Sequence, residues 1–143
     1  MAFPVPEVGL VVSFAYLWSH EQQSGSTEGA KNRPCVIVTA VEDVEGQAVV
    51  TVSPITHSQP EDASSGIEIP SRVKSHLGLD GERSWVILTE VNRFTWPGYD
   101  LRPIAAGDSR VDYGFLPPAL FDQIKAGILT TIRSGKRTTT SRD

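Results

Sequence analysis

The sequence predicts a mainly β fold: a small antiparallel barrel covered by one C-terminal helix. Short runs of β-branched and aromatic residues recur between turn-forming residues. Ten prolines and twelve glycines punctuate 143 residues, which favours short strands over long helices. A single stretch, near the C-terminus, repeats apolar residues at helical spacing.

Residues 8–18 (VGLVVSFAYLW) carry the β-branched and aromatic residues of a first strand. Residues 19–32 are polar and glycine-bearing and predict a long loop of the kind that often carries function. The run from Pro34 to Val41 is nearly all apolar, as in a central strand, with proline tolerated at its first position. A turn over 42–46 and a strand over 47–53 complete a hairpin with it. Residues 54–60 are expected to leave that strand as a polar loop, and 66–70 to form a short strand. Ser71 is placed to cap a helical turn through Leu77, which Gly78 would close. Residues 85–91 read as one strong strand and 95–99 as a turn. Pro117 and Pro118 suit the first turn of the helix. Leu120, Phe121, Ile124, Ile128, Leu129 and Ile132 then give it one apolar face. The expected organisation is one domain over 1–133 and a flexible polar tail over 134–143.

Composition sets limits on function. Hydrophobic residues at 39% and charged residues at 21% are a globular balance. A lone cysteine, Cys35, allows no internal disulfide and no paired-cysteine metal site, and suits a cytoplasmic protein. Within its apolar strand Cys35 is expected to be buried and structural. The N-terminal residues have neither the basic nor the apolar region of a signal peptide, and no apolar run approaches a membrane span. A net charge of −4 argues against attachment to nucleic acid by bulk charge, while leaving room for a local basic site.

Phosphate-binding glycine loops and nucleophile signatures are absent from the sequence, and His20, His57 and His76 have no metal-binding spacing. Three stretches stand out. Residues 28–34 (EGAKNRP) place Arg33 where a loop joins a buried strand, suited to gripping a phosphate; the other reading is a surface cation. Residues 54–58 (PITHS) put the hydroxyls of Thr56 and Ser58 and the imidazole of His57 just past a strand end, where they could bind phosphate or move a proton. The other reading is a turn in which the hydroxyls bond their own backbone. Residues 90–93 (EVNR) set Glu90 and Arg93 beside Phe94 and Trp96, a setting for base stacking or for a surface ion pair over core aromatics.

In this order the three stretches resemble the MazF/PemK toxin endoribonucleases. The shared pattern is a first strand with a glycine like Gly9, then an Arg-Pro step into an apolar strand (Arg33-Pro34). A Pro-x-Thr step follows (Pro54-Ile55-Thr56), then an acidic residue three positions before a basic one (Glu90, Arg93), and a closing helix. The resemblance implies an SH3-like barrel, a homodimer, neutralisation by a cognate antitoxin, and cleavage of single-stranded RNA without metal or other cofactor. It implies catalytic roles for Arg33 and Thr56. Glu28 and Arg93 stand at positions used in some members, and His57 and Ser58 are further candidates beside Thr56. The sequence departs from the family at Leu10, where an acidic residue is common, and at Glu90-Val91, where Asp-Gln is usual. The alternative is a non-catalytic barrel that binds a protein or peptide. A gyrase-poisoning relative on the same barrel finds no supporting feature.

Overall fold

The computed structural model describes residues 3–26, 29 and 31–143. Among these, eight strands form one sheet: β1 (Leu10–Phe14), β2 (Arg33–Glu42), β3 (Ala48–Thr56), β4 (Gly66–Glu68), β5 (Trp85–Ile87), β6 (Glu90–Thr95), β7 (Asp112–Phe115) and β8 (Thr138–Ser141). Three α-helices accompany them: α1 (Ser19–Gln23), α2 (Ser71–Leu77) and α3 (Pro118–Arg133). Neighbouring strands run β4-β5-β3-β2-β1-β7, with β6 on β3 and β8 on β6. Every pair is antiparallel except β6–β8. The mainly β class and the C-terminal helix are as expected, but the pairing traces an open path and not a closed barrel.

Both faces of the central strands are covered. Val11, Val36 and Ile55 pack with Leu77 of α2 and with Leu120, Ile124 and Ile128 of α3. Their chain neighbours Leu10, Val12, Cys35 and Ile37 point the other way, into a second cluster with Phe14, Val50, Val52 and Phe94. Alternate side chains enter opposite cores, so these strands are apolar at nearly every position. Cys35 is fully buried, and burial pushes its thiol well above the usual range, as expected for a packing residue.

Several elements differ from expectation. β3 does not end at Ser53 but continues to Thr56. Its second edge pairs with β6 at Val49–Val52 and with β5 at Ile55–Thr56. The change of partner falls at Ser53-Pro54, where proline has no N–H to give to a ladder. The strand read over 85–91 is two strands broken at Leu88-Thr89. The break is held by tertiary partners: Thr131 Oγ1 and the Thr138 N–H donate to the carbonyls of Leu88 and Thr89 at 3.0 and 2.8 Å. The loop over 19–32 contains α1. Pro70, not Ser71, stands at the cap position of α2, with no side-chain cap bond, while Gly78 closes the helix in the left-handed conformation (φ 72°) as expected. On α3, Leu129 and Ile132 are exposed, leaving a narrower buried stripe.

The polar tail over 134–143 carries β8. Thr140 is buried, the Asp143 carboxylate accepts from the Thr95 N–H and Oγ1 at 2.9 and 2.8 Å, and Arg142 pairs with Asp100 at 2.6 Å. Backbone pairing, which needs no apolar side chain, holds this strand in place. Among the described residues no helix is long and apolar enough to cross a membrane.

Candidate functional site

Arg33 opens β2 and Thr56 closes β3. Cys35 pairs with Pro54, and the same antiparallel register carried two residues further sets Arg33 opposite Thr56. Both line an open cleft of about 960 Å³ with His57 and Ser58, and Trp18 and His20 line it from the start of α1. Gly29 is seated against the chain that leaves β1: a Cβ there would lie 2.2 Å from the Tyr16 carbonyl oxygen, so only glycine fits.

Arg33 is half-buried. Its guanidinium carbon sits 4.9 Å from the centre of the Trp18 ring, within cation–π range. Its Nε is buried and has no hydrogen-bond partner among the described residues. Thr56 Oγ1 accepts from the Ser58 N–H at 3.2 Å, the local turn of the simpler reading, and that bond leaves the threonine's own O–H to donate elsewhere.

Facing His57 is a polar cluster that sequence reasoning missed. His57 Nε2 is 2.8 Å from Asp80 Oδ2, and Nδ1 is 3.7 Å from Glu82 Oε2. Asp80 Oδ1 receives Lys74 Nζ at 2.6 Å and the Glu82 N–H at 3.1 Å. Lys74 is buried on α2. Its three donors meet Asp80, Ser84 Oγ at 2.6 Å and the Glu82 carbonyl, so the desolvated ammonium is fully satisfied. The Lys74 hydrogen bond is the largest influence holding the Asp80 carboxyl below its ordinary range. In the sequence only the lysine in an otherwise buried helix face hints at this, because its partners lie across a turn.

No metal cluster was expected, yet His57, Asp80 and Glu82 bring three ligand atoms within 4.8 Å of one another. Lys74 already supplies the counter-charge to Asp80, so a divalent ion would have to share that carboxylate with an ammonium and displace the His57–Asp80 proton.

The remaining candidates fall elsewhere. Glu90 is committed to structure: Oε1 accepts from Tyr16 O–H and the Ser19 N–H, both at 3.1 Å. Asn92 is fully buried and clamps both backbone groups of Leu17, at 2.9 and 2.8 Å. Arg93 is exposed on β6, paired in register with Thr51 and Ser141, and does not line the cleft. Glu28 lies outside the described residues. No family model matches the chain, and no curated protein matches it.

Proposed function

We propose that this cleft binds and cleaves single-stranded RNA, in a toxin-type endoribonuclease of the MazF/PemK kind on an SH3-like barrel. The observation that carries this reading is the meeting at one open cleft of Arg33 and Thr56, whose buried Nε and O–H have no acceptor among the described residues. In the proposed reaction the ribose 2′-oxygen attacks the adjacent phosphorus, a 2′-O–P bond forms and the P–O5′ bond breaks. The 2′-proton is lost, the 5′-oxygen gains a proton, and a cyclic phosphate remains. Arg33 stabilises the added charge on the phosphoryl oxygens, and Thr56 donates to one of them. Neither step needs a metal. The proposed assembly is a homodimer held inactive by an antitoxin; the exposed Phe115, Leu129 and Ile132 are among the apolar side chains available for such contacts.

Purified protein incubated with mixed-sequence single-stranded RNA in excess EDTA should yield cyclic phosphate ends. Arg33→Ala and Thr56→Ala should each lose the activity. Failure of the folded wild-type protein to cut a broad RNA pool would sink the proposal, and equal cutting by all three proteins would indicate a contaminant. One observation favours a second reading, a module that binds a basic peptide. The chain is acidic, and Glu21, Glu61, Asp62 and Asp80 all line the cleft. Tight binding of basic peptides with no RNA cleavage would select it.

A further inference from the structure

We infer that Asp80, clamped by the buried Lys74, is a positioning residue that fixes the tautomer of His57 and leaves Nδ1, on a ring that lines the cleft, as its proton acceptor. The inference rests on the proposed RNA cleavage for its chemistry but on the geometry alone for the tautomer. Asp80 Oδ1 is held by two donors, Lys74 Nζ and the Glu82 N–H, so Oδ2 is aimed at His57 Nε2. An ionised carboxylate only accepts, hence neutral His57 carries its proton on Nε2 and donates it to Asp80. The lone pair then sits on Nδ1. Glu82 Oε2 competes for a proton at Nδ1, but at 3.7 Å it is beyond hydrogen-bond reach and its side chain is 72% exposed, so water competes with it. The residue next to His57 in the chain is Thr56, and Arg33 lines the same cleft, so the base and the phosphate-binding groups share one space. In the step proposed, Nδ1 takes the proton of the ribose 2′-hydroxyl as the 2′-O–P bond forms, and the imidazolium that results is stabilised by Asp80.

Asp80→Asn tests this directly. Lys74 and the Glu82 N–H still demand an acceptor, so the amide oxygen turns to them and the NH2 faces His57. Nε2 must then accept, and the ring proton moves to Nδ1, removing the lone pair from the cleft. Nitrogen NMR of the imidazole in the full chain, above the pH at which it is neutral, should show the Nε2–H tautomer in the wild type and Nδ1–H in Asp80→Asn. With RNA, kcat should fall about a hundredfold while KM stays within about twofold. Lys74→Met, which removes the clamp but leaves an accept-only Asp80, should keep the Nε2–H tautomer, and it guards against loss of folding as the cause. An Nδ1–H wild type, an unchanged tautomer in Asp80→Asn, a switch in Lys74→Met, or a switched tautomer with unaltered kcat would each overturn the inference. If the wild type cuts no RNA, the cleavage reading and the base role fall together, while the NMR result still decides whether Asp80 sets the tautomer.

Discussion

Arg33-Thr56 and Glu90-Asn92 are two polar sets carried on strands of one sheet, yet the fold treats them in opposite ways. Glu90 and Asn92 spend their polar atoms on Tyr16, Leu17 and Ser19, tying β6 to the chain that leaves β1. Arg33 and Thr56 line an open cleft, with a buried Nε and a hydroxyl proton that have no partner among the described residues. Buried polar groups are normally satisfied, so a set that is satisfied internally holds the structure, and a set left incomplete beside a cleft is placed to meet a ligand.

The sharpest way to break this contrast is Arg33→Ala. On the proposed reading, cleavage should fall a hundredfold or more, about 3 kcal/mol of transition-state stabilisation. The loss of stability should be only the Trp18 contact, about 0.5–1 kcal/mol. RNA cleavage rates and urea melts of the same preparation measure both, and a large stability loss with little rate loss would reverse the assignment. Asn92→Ala should do the opposite. It orphans the N–H and C=O of Leu17 in the core and should cost about 2–3 kcal/mol by urea unfolding, with the cleavage rate per folded molecule retained.

A smaller effect is expected from acid. The Asp80 carboxyl is held below its ordinary range, chiefly by Lys74. The stability this contributes is present above the unfolded carboxylate pKa of about 3.9 and is lost as pH falls below that value through the folded one. Urea midpoints should therefore decline from pH 5 to pH 3, and the decline should be shallower in Asp80→Asn; identical slopes would remove Lys74–Asp80 from the account. The smallest effect is expected for Arg93→Ala. An exposed arginine outside the cleft should alter stability by no more than about 0.5 kcal/mol and cleavage by no more than about twofold. A tenfold loss of cleavage would place Arg93 on the RNA path and extend the site beyond the cleft.

The outcome for individual residues follows from how local each signal is. The hairpin of β2 and β3 was legible because apolar runs on both sides of Asp43–Gln47 report burial on two faces, and the hairpin alone brings Arg33 to Thr56. Helix α3 was legible from its proline start and the spacing of Leu120, Ile124 and Ile128. The break at Leu88-Thr89 was not, because the groups that take those two carbonyls come from α3 and β8, far along the chain. β8 itself was not, because its threonines and serine are held through backbone bonds to β6, and composition registers only side chains.

By itself the sequence determined the class of fold, the course of the central hairpin, the burial of Cys35 and the placing of Arg33 and Thr56 beside one cleft. These rest on side-chain periodicity and antiparallel register, which act between near neighbours. Only the tertiary structure decided that Glu90 and Asn92 serve the core, that Arg93 stands apart, and that Lys74 and Asp80 stand behind His57. The first and last of those outcomes depend on which polar atoms find partners, and the second on which face of β6 meets solvent. The partners lie as much as 75 positions away in the chain, and a hydrogen bond is specific to atoms brought within about 3 Å by the whole fold.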